Sequence, residues 1–305
     1  MPERPDKQLT TAIFFGITAA CLWGLFPSVT KLGMTSHLST YDIIALRFIV
    51  AGVVLLPLFY KKRLGGIPWI AAFVLASGAG FLYLLFVVGG LTYAPAGHMG
   101  IITPSCMLLF SSIGSVIFLR TELGLTRIFG IVIIIIGIAL IGWDSLFHTR
   151  GNYWVGDLMF IGGGFLWASY TLALKVWPLE PLHATATVSI LSMFIYLPPY
   201  FLFADVGIFD ANLNDVIYQG ILQGLLIAVV ALLFYTKAVA ILGSARGAVF
   251  GALVPASTIL LAIPMLGDIP NTYQIIGVVI VTTGMFFALG LTKRATNKNI
   301  INNNQ

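Results

Sequence analysis

The run Cys21-Leu22-Trp23-Gly24-Leu25-Phe26 returns as Phe165-Leu166-Trp167-Ala168-Ser169-Tyr170, and the matches that continue from it decide how the chain is organised. At the same displacement of 144, Lys31 meets Lys175. Ala96-x3-Gly100-x3-Pro104 meets Gly247-x3-Gly251-x3-Pro255, displaced by 151, and Gly130-x6-Gly137 meets Gly277-x6-Gly284, displaced by 147. The order is kept and the displacement drifts by only a few residues. One such match is within reach of chance in a Gly-rich chain; an ordered set is not, so the chain reads as two copies of one unit.

What the unit is made of follows from composition. Of 305 residues, 59% are apolar and only 9% are charged, and the mean hydropathy is +0.99. A soluble domain carries about a quarter charged residues, so this balance excludes a water-exposed globule and a disordered chain. The net charge of +5 is not a nucleic-acid footprint. Cys21 and Cys106 are too few for a disulfide scaffold and read as small apolar core residues. The outside of this protein is lipid.

A helix needs roughly 20 apolar residues to cross a bilayer. Charged and Gly/Pro punctuation predicts ten spans, at 10–33, 42–60, 68–91, 95–118, 126–144, 156–177, 185–203, 216–238, 244–266 and 272–292. The first is followed directly by more spans and by no small-x-small cleavage site, unlike a signal peptide. With the N-terminus inside, cytoplasmic segments hold Arg4, Lys7, Lys61, Lys62, Arg63, Arg120, Arg127, Lys175, Lys237, Arg246, Lys293, Arg294 and Lys298. The other side holds only Lys31 and Arg150, while Asp205, Asp210 and Asp215 collect there. That bias predicts cytoplasmic N- and C-termini in a bacterial inner (plasma) membrane. Trp69, Trp143, Trp154 and Trp177 fall at span ends, as interfacial rings do; Trp23 and Trp167 fall near the middle.

Each copy holds five spans. Five is odd, so the second copy enters the membrane from the opposite side. The predicted fold is all-α integral membrane, ten transmembrane helices as two inverted five-helix repeats: residues 1–149, residues 150–292, and a polar, Asn-rich cytoplasmic tail at 293–305 that reads as a disordered end. Such repeats place a binding site near the midplane and provide for alternating access.

On these residues the chain resembles the drug/metabolite transporter (DMT) superfamily, specifically its EamA-type ten-helix members. The resemblance rests on Leu22-Trp23-Gly24 in the first span, Leu46-Arg47-Phe48 in the second, and small residues ahead of Pro104 and Pro255 in the fourth and ninth. Thr121-Glu122 and Gly267-Asp268 stand where the family carries Gly-Glu before the last helix of each half. The resemblance implies a metabolite carrier and leaves the solute open, because the family moves amino acids, nucleotide sugars, vitamins and organic cations.

The residues suggest where a solute would bind. Trp23 and Phe26 share a helix face, as Trp167 and Tyr170 do in the second copy. They read either as an aromatic-lined cavity able to stack on a ring or hold a cation, or as packing; the symmetric pairing favours the cavity. Tyr83 adds a hydroxyl to its wall. His98, on one face with Ile102 and Ser105, binds a carboxylate, relays a proton, or bonds a neighbouring carbonyl. Arg47 snorkels to the surface, pairs with Asp42, or anchors an anion. Lys31 and Lys175 sit at matching span ends as gate residues or interface lysines, and Pro27, Pro104 and Pro255 are hinges or static kinks.

No Asp or Glu lies in the middle of any predicted span, while the near-buried ionisable groups are basic. That tilts the solute toward a carboxylate-bearing, amino-acid-like metabolite, exported or facilitated through the central cavity. An organic-cation or drug carrier of the same fold is the alternative. An intramembrane enzyme would need an acid/base pair, metal cluster or activated nucleophile, and no such motif is visible. The sequence calls for no cofactor and no metal; its partners are a small-molecule substrate and the lipid bilayer, not nucleic acid, and a homodimer is compatible with it.

Overall fold

A computed structural model describes residues 5–36, 38–147 and 151–290. Arg4, His37, His148, Arg150 and the tail from 293 therefore lie outside the described residues. The first half contains α1 (Pro5–Thr35), α2 (Thr40–Lys62), α3 (Trp69–Ala79), α4 (Phe81–Gly90), α5 (Ala96–Leu119) and α6 (Leu125–Phe147). The second contains α7 (Tyr153–Val176), α8 (Pro181–Phe203), α9 (Leu213–Gln219), α10 (Ala231–Leu242), α11 (Ser244–Ala252), α12 (Val254–Leu266) and α13 (Thr272–Ala288). A π-helix, Gly220–Val230, joins α9 to α10, so Ala231 N–H reaches back five residues to Leu226 O. Among the described residues nine helical runs are long and apolar enough to cross a bilayer, and Thr272–Ala288 is a shorter tenth. Side chains such as Phe118 and Phe203, 74% and 85% exposed, face outward where only lipid suits them.

Two predicted continuous spans are broken, and each break has a local cause. The third span divides at Gly80. There Phe81 N–H donates to Ser192 Oγ at 3.1 Å instead of continuing the helix ladder, and Ser192 Oγ donates to Ala76 O. A side chain from another helix inserted into the ladder is a recognised origin of a kink, and a Cβ on Gly80 would sit 2.0 Å from that oxygen. The ninth span divides at Leu253, so Pro255 lies in the first turn of α12, where its missing N–H costs nothing. Pro27 and Pro104 stay inside unbroken helices.

The halves pack in a pattern that survives their exchange. α5 packs on α7 as α12 packs on α1. α4 packs on α7 as α10 packs on α1, and α2 packs on the π-helix as α8 packs on α3. α2–α8, α5–α12 and α6–α13 pair counterpart with counterpart. The α6–α13 seam shows the geometry in atoms. Gly130 faces Gly284 and Ala288, and Gly277 faces Gly137 and Ile141. These contacts advance along one helix while retreating along the other, so the two helices run antiparallel. The repeated glycines meet crosswise, each the counterpart of the other's partner. Close backbone approach at small residues is what holds helices together in lipid, where burial provides no drive.

Matched caps end the fourth and ninth spans. Gly267 closes α12 in the left-handed conformation (φ 69°), and Arg120 closes α5 in the same way (φ 52°), its N–H donating to Ser115 O. The Gly267-Asp268 and Thr121-Glu122 elements follow from this turn, and glycine is the residue that adopts it without strain.

Candidate functional site

A cavity of about 390 Å³ opens between the halves, within the range of small-molecule sites. Its wall repeats itself. Trp23 and Trp167, Phe26 and Tyr170, Tyr83 and Tyr235, Gly100 and Gly251, Thr103 and Val254, and Met107 and Thr258 all line it, each pair one copy of the unit apart. Each tryptophan packs on the tyrosine from the third span of the other half. Trp23 and Tyr235 have ring centroids 5.2 Å apart, and Trp167 and Tyr83 4.9 Å apart. Trp167 also meets Tyr170 edge-on at 5.5 Å. Such pairs contribute about 0.5–1.5 kcal/mol beyond burial and hold the rings at fixed orientation around the cavity. Tyr235 was not selected from sequence, although its displacement of 152 from Tyr83 continues the drift of the other matches.

One residue breaks the symmetry of charge. Arg47 reaches the cavity wall instead of snorkelling to the surface. Its guanidinium carbon lies 4.9 Å from the Phe26 ring centroid, and Nη1 donates to Gln223 Oε1 at 3.5 Å. Pairing with Asp42 is ruled out by what Asp42 already holds. Its Oδ1 accepts from the Tyr200 hydroxyl and the Gly207 N–H, and its Oδ2 accepts from Ser39 N–H and Oγ at 2.8 and 2.7 Å. Among the described residues no carboxylate bonds Arg47, and no Asp or Glu lines the cavity. Gln223 is fixed in turn by Nε2 donating to Thr30 Oγ1 at 2.9 Å, and Gln219, one π-helical turn earlier, donates to Val29 O at 2.8 Å. The π-helix thus aligns two amides that grip α1 beside Pro27 and hold the cation's side chain in place.

Of the residues expected at the site, Trp23, Phe26, Pro27, Arg47, Tyr83, Pro104, Trp167 and Tyr170 line the cavity. His98 and Ile102, expected to contact the solute, do not line it; Lys31 and Lys175, expected at the gates, and Pro255, expected as a hinge, lie outside its wall as well. Ile102 is packed in the core, 1% exposed, because it lies on the far face of α5 from Thr103 and Met107. Lys175 Nζ donates to Ser115 Oγ at 2.9 Å. Pro255 is buried at the α11–α12 break. His98 is wholly buried and bonded, not to a carbonyl, but to Asp157, its Nδ1 2.8 Å from Oδ1. The partner was invisible locally because it lies 59 residues away.

Away from the cavity the halves are tied at their ends. Lys62 forms an ion pair with Glu180, and His183 Nε2 bonds Arg63 O at 2.9 Å. The hydrogen bond and charge of Lys62 hold the Glu180 carboxyl below the usual carboxylate range.

Helices exposing apolar side chains around a ring-lined cavity define an integral membrane protein with room for a small solute. The model of the EamA-like transporter family matches the chain twice, over residues 10–143 and 154–290, and the chain belongs to that family. It is a membrane transporter. It is similar to an uncharacterized transporter of Archaeoglobus fulgidus, 28% identical over 269 residues, covering 84% of this chain and 89% of that one. It is also similar to an uncharacterized transporter of Haemophilus influenzae, 27% identical over 185 residues, covering 56% of this chain. That alignment spans 57% of the Haemophilus protein's length. A crystal structure 19% identical in sequence superimposes with a TM-score of 0.64 over 94% of this chain and 98% of its own, a likeness of fold alone.

Proposed function

We propose that the protein carries a small metabolite with a carboxylate or equivalent anionic group, amino-acid-like in size, through the central cavity by alternating access. The carrying observation is Arg47: a cation among aromatic rings, held by a neutral amide, with no carboxylate among the described residues bonded to it. A buried charge without its counter-charge is costly, and a solute carboxylate would supply the missing partner with charge-assisted hydrogen bonds. The ring pairs Trp23–Tyr235 and Trp167–Tyr83 then bracket the apolar remainder of the solute.

The two five-span halves act as inverted repeats, 1–149 and 150–292, which exchange roles to open on alternate sides. The exchange-symmetric packing and the antiparallel, crosswise glycine seam support this reading. The cluster of Lys and Arg on one side supports cytoplasmic termini in a bacterial inner membrane. An organic cation is the second reading, favoured by the ring pairs and disfavoured by Arg47 at the same wall.

The test is a proteoliposome screen of amino acids and other carboxylates against organic cations, with wild type, Arg47→Lys and Arg47→Gln. Loss of hydrogen bonds to a charged group costs about 1.5–3 kcal/mol, so Arg47→Gln raises the KM for the carried anion about 10- to 150-fold. Uptake of cations only, or an Arg47→Gln variant with unchanged KM, refutes the anionic reading.

A further inference from the structure

The His98–Asp157 pair sits outside the cavity, and the proposed transport cycle so far makes no use of it. His98 opens α5, Asp157 opens α7, and the two are buried, 0% and 5% exposed. Asp157 Oδ1 is 2.8 Å from His98 Nδ1, and its Oδ2 accepts from Ser145 Oγ at the end of α6. The Tyr153 ring stands edge-on to the imidazole with centroids 6.0 Å apart. His98 Nε2 is buried and has no hydrogen-bond partner among the described residues. No Lys or Arg among the described residues bonds either member.

We infer that this pair is a proton-binding site, with His98 Nε2 as the atom that takes the proton, and that its loading and unloading couple solute movement to protons; the coupling rests on the transport reading above. Proton counting leads there. With one proton, on Nδ1 and donated to Asp157, the pair carries a net charge of −1 inside the protein. A second proton makes the pair neutral, and burial favours the neutral form. Asp157 Oδ1 already receives Nδ1–H and Oδ2 already receives Ser145 O–H, whereas Nε2 accepts no bond among the described residues, so Nε2 is the base left open to a proton. The proton comes from water on one side, forms the Nε2–H bond, and leaves to water on the other side once the helices have moved. Among the described residues Nε2–H has no acceptor, so a movement of the helices is what would give it one.

Among the described residues no cation bonds the pair. Around α5, α6 brings Asp144, whose Oδ2 accepts from Asn271 Nδ2 at 2.7 Å. α7 brings Tyr153, α13 brings Tyr273, α1 brings Cys21 and Lys31, and α4 brings Tyr83 on the cavity wall; α12 brings no titratable side chain, and the cations Arg127 of α6 and Lys175 of α7 bond Ser112 and Ser115 toward the other end of α5. The pair belongs to one copy alone: the positions one copy away are Ile13 in α1, 41% exposed, and Val249 in α11, both apolar. The pair also joins two of the helices that carry the cavity wall, since Met99 and Gly100 follow His98 and α7 supplies Trp167 and Tyr170.

Two measurements decide it. In full-length protein labelled with [15N]histidine and held in nanodiscs, the signal missing from His98→Gln is that of His98. Its Nε2 is expected to gain a proton as the pH is lowered, and that response to change in Asp157→Asn; an imidazole that stays neutral at every pH the folded protein tolerates overturns the site. In proteoliposomes the probe is a radiolabelled mixture of amino acids, read as pH-gradient-driven accumulation divided by counterflow in the same vesicles. At one proton per solute a one-unit gradient supports about tenfold accumulation. Wild type is expected to approach this, and His98→Gln and Asp157→Asn to fall to a ratio that ignores the gradient. Wild-type counterflow without any response to the gradient, or variants that keep the wild-type ratio, overturn the coupling. Absence of wild-type counterflow refutes the amino-acid reading of the solute instead, and the nanodisc titration still decides the proton site.

Discussion

Replacing Gly130 with Ala should loosen the α6–α13 seam by an amount readable from the contacts. A Cβ there would lie 2.3 Å from Ala288 N and 2.6 Å from Gly284 O, both backbone atoms that no rotamer change can move. Restoring ordinary contact at about 3.5 Å requires the helices to part by about 1 Å. Overpacking of this kind costs about 1–3 kcal/mol. Ala in place of Gly in a helix interior returns up to about 1 kcal/mol. Gly142, in the same helix with nothing within 4 Å of its added Cβ, isolates that return. Gly130→Ala should therefore lie about 1–3 kcal/mol below Gly142→Ala. At about 2–4 °C per kcal/mol, the two should melt about 2–12 °C apart. Gly284→Ala should cost less, because its closest clash is 2.9 Å. The double variant Gly130→Ala/Gly284→Ala should cost less than the sum, since both changes open one seam. The assay is size-exclusion recovery of purified, heated protein. If Gly130→Ala melts with Gly142→Ala, the crosswise seam is wrong.

Three further outcomes follow. Trp23→Ala and Trp167→Ala should each reduce transport while expression and membrane insertion stay near wild type; unchanged uptake by both removes the ring-lined cavity from the mechanism. Asp42→Ala should destabilise the protein by about 1–3 kcal/mol for each buried donor it leaves unpaired, the Tyr200 hydroxyl and Gly207 N–H first, measured as a fall in melting temperature with no change in counterflow KM. The depressed carboxyl of Glu180 sets the sign of a pH effect at the Lys62 tie: the ion pair is present above the ordinary Glu value of about 4.3 and persists somewhat below it, then is lost as pH falls through the lowered value. Cysteines at 62 and 180 should crosslink readily in membranes at neutral pH; failure to crosslink places the two loops apart.

The candidate site was legible where it repeats and hidden where it does not. Trp23 with Phe26 and Trp167 with Tyr170 were marked by spacing and recurrence, and all four line the cavity. Tyr235 carried the same signal and was passed over. Gln223 carried none, because its role depends on a π-helix that changes which residues share a face and on Arg47 arriving from another span. The histidine was noticed as an ionisable group in a membrane, but its meaning depends on an aspartate from a different helix.

Composition and period were enough to establish an apolar, many-helix membrane chain, because lipid imposes its demands residue by residue and each span must satisfy its own backbone. The repeat in the chain carried the correspondence between halves for the same reason: equal packing duties call for equal small residues and equal rings. Which neighbours meet is another matter. The breaks at Gly80 and Leu253, the crosswise glycines, the freed guanidinium of Arg47 and the bond between His98 and Asp157 all arise from contacts between segments distant in sequence. Their energies are shared between two helices, so neither helix encodes them alone.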